Sequence, residues 1–408
     1  MTTGISVLRR LRLTLAATAL ITVPSGCGIL GGGGGGSDST AAGTASGTAA
    51  AVASSRPAAA SRTPAPAAAC RPDAVLSTWS LNRRAAQLVV VPVEEDAVLS
   101  VKSLVADGAG GIILFGSEAP ATMPADLAVL RRAGGRVPPL VMVDEEGGEI
   151  QRMANLAGDM PWPRTMAATL TRARTRALAE QAGRRMRAAG VTMDLAPVLD
   201  LSDGPGPDSA HPDGPRSFSL KPPVAAAYGI AFARGLRAGG VIPVYKHFPG
   251  LGQATYNTDD GPASVPPLPA LKAAALLPFQ TAIRAGATAV MVGNVTVPGL
   301  TGKVPATLSK AAITGVLRGQ LGFGGLVLTD SLSALAVADA GYSVPGAAAL
   351  SIEAGADLVL FDSATAVTTT REVIASIVAA VTSGRLPGSR LDQAVQHVLA
   401  AKKISLCR

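Results

Sequence analysis

The chain has 408 residues, of which 48% are apolar, 16% charged and 3% aromatic, and its formal net charge is +8. This composition excludes a disordered protein, a coiled coil and a multi-pass membrane protein. Three cysteines and three histidines exclude a disulfide-dense scaffold and leave little material for a histidine-built metal site. Because aromatic residues that stack on bases are scarce, we interpret the basic excess as a solvated surface rather than a nucleic-acid site. Attraction to an anionic envelope is the weaker interpretation.

Residues 1–26 are predicted to be an export signal. Arg9, Arg10 and Arg12 precede an apolar run at 13–23 that is too short to span a bilayer. The run ends in Pro-Ser-Gly-Cys at Cys27, which resembles a bacterial lipobox whose cysteine becomes lipidated, although Pro24 stands where Leu is usual. We therefore expect an extracytoplasmic protein that is lipid-anchored to the bacterial membrane. Plain secretion is the alternative.

Residues 27–69 are predicted to form a flexible tether, because Gly, Ser, Thr, Ala and Pro dominate the segment and bury little apolar area. The remaining residues, 70–408, are enough for one large domain. Cys70 and Cys407 stand at its two ends. If Cys27 carries lipid, these two are the remaining thiols, and a disulfide between them is expected. Two unrelated free thiols are the alternative.

Eight apolar runs alternate with helix-like stretches in this domain, and most are continuously apolar, as strands buried on both faces are. The best-marked helical stretches are 165–189, 224–238 and 270–285, each followed by glycine, which favours a helix end. The predicted strands are 87–93, 111–115, 140–144, 191–197, 242–246, 289–294, 326–330 and 358–362.

Two observations favour a (β/α)8 barrel, the TIM-barrel fold, over an open doubly wound sheet. No glycine-rich phosphate fingerprint follows an early strand. Polar residues also recur at the carboxyl ends of the predicted strands, and in a barrel those ends converge on one mouth, where the active site lies. These residues are Asp144, Asp200, Lys246, His247, Asn294, Asp330 and Asp362.

Asp144 begins the run Asp-Glu-Glu-Gly-Gly, in which two glycines allow the backbone to approach a ligand closely. We assign Asp144 to ligand binding, and Glu145 and Glu146 have an alternative place as helix N-terminal acids. Lys246 and His247 can donate hydrogen bonds to sugar hydroxyls or anionic groups, or can simply hold the following loop.

Asp330 lies at the end of the seventh strand and is a candidate nucleophile, general base or metal ligand, of which the nucleophile is favoured. Capping of the next helix is the structural alternative. The residues near it do not resemble a metal-ligand set. Arg216 follows the fourth strand and can clamp a substrate oxygen, or can pair with Asp200 or Asp213.

The motifs together resemble those of family 3 glycoside hydrolases. Asp-Glu-Glu-Gly-Gly-Glu-Ile-Gln-Arg at 144–152 is similar to the family's D-x-E-G-G-x-x-Q-R motif. Arg-Ser-Phe at 216–218, Lys-His-Phe-Pro-Gly at 246–250, Thr-Asp-Ser-Leu at 329–332 and Ala-Gly-Ala-Asp at 354–357 also match. The resemblance covers about residues 75–400 and is closest to single-domain bacterial β-N-acetylhexosaminidases that act on cell-wall muropeptide fragments.

The resemblance implies a role for each matching residue. Asp330 stands at the nucleophile's position, and Asp144, Arg216, Lys246 and His247 stand where the family grips the terminal sugar. The implied reaction is retaining hydrolysis of a β-linked N-acetylglucosamine-type sugar, with no metal or organic cofactor. The expected partners are a carbohydrate substrate and the membrane, with no nucleic acid.

The sequence departs from the family at the general acid/base. In that branch Lys-His-Phe-Pro-Gly is followed by His-Gly and then by an Asp-x-His pair. Here Leu251 stands in place of the His that follows Lys-His-Phe-Pro-Gly, and the pair is Asn257 and Asp259. A further position that is often His is Asn294. In one interpretation Asp259, or its neighbour Asp260, is the acid, with its pKa raised to about 6. In the other, the protein is a degenerate glycosidase that binds glycan with little or no hydrolysis. A solute-binding lipoprotein is a third class, which eight βα units disfavour.

Overall fold

The computed structural model describes residues 75–362 and 364–407, in which strands alternate with helices. Each of the eight predicted strand regions contains a strand, and the fifth region contains two short ones. The strands are β1 Val90–Glu94, β2 Gly111–Phe115, β3 Leu140–Val143, β4 Glu145–Gly147, β5 Ile150–Gln151, β6 Met193–Asp194, β7 Ile242–Pro243, β8 Tyr245–Phe248, β9 Ala289–Val292, β10 Leu326–Ser331 and β11 Leu358–Leu360.

The helices fill the connections between these strands. Three short 3-10 helices, at Val98–Val101, Gly214–Arg216 and Ala306–Leu308, and a π-helix at Ala311–Gln320 add to them. The α-helices are α1 Leu81–Ala86, α2 Lys102–Ala106, α3 Met123–Ala133, α4 Ala154–Ala157, α5 Pro163–Thr169, α6 Arg172–Ala189, α7 Pro222–Ala238, α8 Leu268–Ala273, α9 Leu276–Arg284, α10 Leu335–Ala338, α11 Val344–Ala354, α12 Ala366–Thr382 and α13 Gly388–Ala401.

The strands form two parallel sheets, which confirms an α/β fold. One sheet has the order β1-β2-β3-β6-β7 and the other the order β11-β10-β9-β8, while β4 and β5 form a separate antiparallel hairpin. Val244 alone separates β7 from β8 in the chain. On the other side, an isolated parallel bridge joins Val89, next to β1, to Val359 in β11. All strands of both sheets therefore run in the same sense as their neighbours, and their carboxyl ends face one side.

Two of the predicted helices are each split in two. The stretch 165–189 is interrupted at Leu170 and Thr171, because the hydroxyl of Thr171 accepts a hydrogen bond from the backbone N–H of Arg174 at 3.2 Å and so caps a new helix. The stretch 270–285 is interrupted at Ala274. The predicted stop at Gly190 is confirmed, since this glycine ends α6 with a φ of 108°.

The predictions for the N-terminal segments lie outside the described residues. These are the export signal, the lipidation of Cys27 and the tether. Cys407 is disulfide-bonded, but Cys70 also lies outside the described residues, so the pairing of these two stays a prediction. Among the residues that the structure describes, no helix has both the length and the apolar character needed to cross a bilayer.

A buried ion cluster links the last strand to the helices around it. Asp357 is fully buried and accepts hydrogen bonds from Arg318 at 2.6 Å, Arg390 at 2.7 Å and the backbone of Val327 at 3.0 Å. Burial alone would raise the pKa of Asp357, but its hydrogen bond with His397 and the charges of the two arginines hold it below its ordinary value. The carboxylate therefore ties the π-helix and α13 to β10.

We predict that Asp357→Ala lowers the free energy of unfolding by about 3–5 kcal/mol, because it leaves two guanidinium groups without their shared anion. Chemical denaturation measures this loss. Glu353→Ala is the matched control, because Glu353 pairs with the largely exposed Arg385 and should cost under about 1 kcal/mol. Equal costs for the two variants would contradict the structural role given to Asp357.

Candidate active site

The carboxyl ends of the strands surround a cavity of about 300 Å³. The structure brings the sequence-predicted catalytic and sugar-binding residues to this one cavity, although they come from five separate regions of the chain. Buried apolar side chains, among them Leu251, form part of its wall. The predicted residues that line it are Asp144, Arg216, Lys246, His247, Asn257, Asp259 and Asp330.

Glu146 joins the two principal cations of the cavity. Its carboxylate accepts two hydrogen bonds of 2.8 Å from Arg216 and lies 2.6 Å from Nζ of Lys246. Lys246 also donates to Asp144 at 2.6 Å. Burial alone would raise the pKa of Glu146, but Arg216 and Lys246 outweigh burial and hold it well below its ordinary value. Glu146 is therefore an anion that fixes both cations at the cavity wall.

The predicted alternative places for Glu145 and Glu146, at a helix N-terminus, are wrong. Both residues are buried in β4, which pairs with β5 in a tight hairpin. Gly147 and Gly148 have φ values of 106° and 63°, a backbone conformation that favours glycine. Glu145 accepts hydrogen bonds from Gln151 at 2.9 Å and from the backbone of Met153 at 2.5 Å. The hairpin thus holds Asp144 and Glu146 in place.

Arg216 has a different partner from those weighed from the sequence. It pairs with Glu146 rather than with Asp200 or Asp213, and it also donates to the carbonyl of Pro212 at 3.1 Å. The loop that carries Arg216 is clamped by Arg164, whose guanidinium donates to the carbonyls of Asp203, Gly204, Ser202 and Gly214. Neither Glu146 nor Arg164 was recognised from the sequence as a contributor to the site.

Asp200 orients His247. One carboxylate oxygen of Asp200 lies 2.6 Å from Nδ1 of His247 and also accepts the backbone N–H of His247 at 3.0 Å, while the other accepts the backbone N–H of Leu251 at 2.6 Å. Burial lowers the pKa of His247 to about 4, so the ring is neutral at pH 7. With Nδ1 donating to Asp200, Nε2 is left as an acceptor, 3.5 Å from Arg216.

Asp330 lies at the end of β10 and lines the cavity. One of its oxygens accepts the backbone N–H of Ser331 at 2.8 Å. Asn294 holds the same strand end, because its side chain donates to the carbonyl of Ser331 at 2.7 Å and accepts from Thr307 at 2.7 Å. Burial raises the pKa of Asp330, and the charge of the Asp259 carboxylate adds to this rise. Asp330 and Asp259 are therefore electrostatically coupled.

The loop that carries Asp259 is hydrogen-bonded to the start of α10. The carbonyls of Thr258 and Asp259 accept the backbone N–H groups of Ala336 and Leu335 at the start of α10, at 3.0 and 3.3 Å. The side chain of Asn257 accepts the backbone N–H of Asp259 at 3.1 Å, which is a local turn. Asp259 itself is exposed at the mouth of the cavity, and its pKa is raised because neighbouring atoms displace water from the carboxyl.

Three buried groups in the described part of the chain have donor atoms close enough together to ligate a metal ion. They are Asp200, Asp213 and His247, whose donor atoms lie within 4.8 Å of one another. However, Asp200 and His247 already share a hydrogen bond, and Arg216 lies beside the other ring nitrogen. A cation there would meet a guanidinium group. Burial raises the pKa of Asp213 well above its ordinary value, so the cluster suits shared protons better than a metal ion.

The comparison with known proteins identifies the family. Residues 80–401 match the glycosyl hydrolase family 3 N terminal domain. The chain belongs to glycosyl hydrolase family 3. A relative, beta-hexosaminidase LpqI of Mycobacterium tuberculosis, is 36% identical over 403 residues, which are 97% of each chain.

Solved structures agree with this assignment. The structure of M. tuberculosis LpqI has a TM-score of 0.74 at 36% identity and covers 82% of this chain and 97% of that one. A beta-N-acetylhexosaminidase from Beutenbergia cavernae has a TM-score of 0.72 at 33% identity, covering 80% of this chain and 99% of that one. The predicted family is confirmed, and these relatives support a glycosidase rather than a solute-binding protein.

Glu95, which directly follows β1, makes the stability of the fold depend on pH. It is 3% exposed, and burial, with a contribution from the charge of Glu145, raises its pKa from 4.5 to about 7. The folded protein therefore holds a proton on Glu95 that the unfolded chain releases above pH 4.5. The resulting stabilisation is present at pH 4.5 and is lost as the pH rises through 7.

We predict that Glu95→Gln reduces the loss of unfolding free energy between pH 5 and 8 by about 1–3 kcal/mol, because the amide stays neutral at every pH. Unfolding free energies measured by denaturant titration between pH 5 and 8 test this. Glu94→Gln, at the exposed neighbouring position, should change the slope far less, because the charge of Glu94 makes the smallest contribution to the raised pKa of Glu95. The same slope in wild type and Glu95→Gln would refute the assignment.

Proposed function

We propose that this protein is a retaining β-N-acetylglucosaminidase in which Asp330 is the nucleophile and Asp259 the general acid/base. One observation carries the proposal: both carboxyl groups line the same cavity as two cations that Glu146 holds in place. The charge of Asp259 also reaches Asp330. Retaining glycoside hydrolysis uses two carboxyl groups that flank the glycosidic bond, one as the nucleophile and the other as the acid/base.

The reaction proceeds in two balanced steps. In the first, the Asp330 carboxylate bonds to the anomeric carbon while the glycosidic C–O bond breaks and the Asp259 carboxyl gives its proton to the leaving oxygen. In the second, water attacks the anomeric carbon and gives a proton to the Asp259 carboxylate, while the Asp330–sugar bond breaks. The raised pKa of Asp259 favours the protonated form that the first step needs.

The terminal sugar is held by groups whose roles follow from their charge. Asp144 accepts hydrogen bonds from hydroxyls, whereas Lys246 and Arg216 donate to their oxygens, and neutral His247 presents Nε2. Because Glu146 neutralises part of the cationic charge, the sugar meets oriented donors without a large excess of charge. The names of the relatives support an N-acetylhexosamine as the sugar. We propose that it is N-acetylglucosamine and that muropeptide fragments of the cell wall are its source.

We further propose that the two parallel sheets form one (β/α)8 barrel. The bridge between Val89 and Val359 on one side and the short link between β7 and β8 on the other support this arrangement. In such a barrel the cavity lies at the carboxyl ends of the strands, where barrel enzymes place their sites.

We propose an extracytoplasmic location with a lipid anchor at Cys27, which the Pro-Ser-Gly-Cys sequence supports.

The function is tested with a panel of p-nitrophenyl sugars and muropeptide fragments, using the full chain. We predict hydrolysis of the β-N-acetylglucosaminide, with retention of configuration observed by proton NMR. Asp330→Ala should reduce kcat/KM by at least about 10³-fold, with an unchanged melting temperature. Hydrolysis that survives in Asp330→Ala would contradict the nucleophile, and glycan binding without any hydrolysis would favour a degenerate binding protein.

The acid role is tested by the leaving group. We predict that Asp259→Asn slows an unactivated β-N-acetylglucosaminide by about 10²–10⁴-fold but barely affects formation of the covalent intermediate from a dinitrophenyl glycoside, which needs no proton.

Asp260→Asn is the matched control, since this neighbouring carboxylate is held by the hydroxyl of Ser209. It should leave both reactions near wild-type rates. A larger loss in Asp260→Asn than in Asp259→Asn would transfer the acid role to Asp260. Equal losses on both substrates in Asp259→Asn would refute an acid role for it.

A further inference from the structure

Two adjoining cavities lie at the amino ends of the strands, on the side opposite the candidate active site. The larger, of about 350 Å³, is lined mostly by apolar atoms and is bordered by the starts of β7 and β10. The smaller, of about 130 Å³, adjoins it at the start of β3. The two share the lining residues Gly240, Ile242, Ala401 and Lys403, and together they are called the basal cleft below.

The charged residues of the basal cleft are all of one sign. Arg131, Arg187, Arg237, Lys402 and Lys403 line it, and no Asp or Glu is among its described lining residues. His397, also in the lining, contacts Asp357, and that carboxylate is already paired with two arginines. The cavity of the candidate active site differs, because five carboxylates line it.

Lys402 is poised for an anion. Its ammonium group has three donors, and in the described part of the chain it donates to Gln87 at 2.9 Å. Burial lowers its pKa to about 7, which means that the charged form lacks stabilisation in the absence of an anionic partner. The surrounding surface adds to the attraction, since Arg131, Arg187, Arg237 and Lys403 are exposed at this end.

The chain's own N-terminal segment does not supply the complementary charge. Residues 28–74 contain Asp38 and Asp73 against Arg56, Arg62 and Arg71, so the segment has no net negative charge. The segment therefore does not complement the cationic rim. A cleft with apolar walls and a cationic rim suits an amphiphile whose head group is anionic.

We propose that the basal cleft docks the enzyme onto a bilayer that contains anionic phospholipids, with head-group phosphates on the cationic rim and lipid carbons against the apolar wall. The mouth of the candidate active site then faces away from the membrane. This orientation presents the catalytic cavity to glycan outside the bilayer while the base of the domain stays on the lipid.

Vesicle sedimentation tests the docking. All proteins carry Cys27→Ala in the full chain, so that lipidation cannot contribute, and the vesicles are phosphatidylcholine alone or mixed equally with phosphatidylglycerol. We expect the double variant Arg187→Glu with Lys403→Glu to lose about tenfold or more of its affinity for the mixed vesicles. Any binding through residues 1–26 is common to all the proteins compared.

The matched control is Arg172→Glu with Lys221→Glu. Arg172 begins α6, whereas Arg187 lies near its other end, and Lys221 precedes α7; both control residues are exposed. The net charge changes equally in the two double variants, so the control should keep near wild-type binding. Equal loss in both, or no loss in either, would overturn the proposal. Equal loss of binding to soluble dextran sulfate and to vesicles would assign the cleft to a polyanion instead of lipid.

A reporter keeps the test independent of charge reversal. Ala400 is exposed and lines the larger cavity, so Ala400→Trp adds an indole to a chain that has two tryptophans. Mixed vesicles should shift its emission to the blue, and phosphatidylcholine vesicles should not. An unchanged spectrum with bound mixed vesicles would place the lipid outside the cleft, and a shift without lipid that depends on protein concentration would indicate a second copy of the chain.

Discussion

The carboxylate of Glu146, held between Arg216 and Lys246, is the interaction on which the site depends. Burying one charge is costly, and an ion pair inside a protein repays that cost only when geometry is good and the remaining polar atoms are satisfied. Here both oxygens are used, by a two-pronged guanidinium and by an ammonium that also contacts Asp144. Without Glu146, the two neighbouring cations would repel each other at the cavity wall.

The rest of the site follows from this arrangement. Asp200 holds His247 as a neutral ring, the β4–β5 hairpin holds Glu146, and Arg164 holds the loop that delivers Arg216. These supports come from separate connections between strands, so the cavity is rigid without relying on one loop. Asp259 is the exception, because its loop is docked on α10 but its side chain is exposed. This is the position where the sequence departs from its family.

The sequence predicts more of the site's membership than of its internal pairing. Continuous apolar runs mark the buried strands, and polar residues at their ends mark the cavity, because both patterns depend on neighbours in the chain. The partner of Arg216 depends on residues 70 positions apart, which periodicity cannot reveal. Because Glu146 stands in a run of three carboxylates, its sequence context is equally compatible with a helix N-terminus. The breaks at Thr171 and Ala274 are local, yet each lies inside an otherwise helical pattern.

The two ends of the domain divide its chemistry, with carboxylates at the carboxyl ends of the strands and cations at the amino ends. Our central proposal is that the carboxylate of Asp330 faces a sugar ring held by the Glu146 network. Peptide mass spectrometry tests it most directly, after Asp259→Asn protein has reacted with dinitrophenyl β-N-acetylglucosaminide. We expect one glycosylated peptide, modified at Asp330. Modification at a different carboxylate, or dinitrophenol release with no modified peptide at any time, would contradict it.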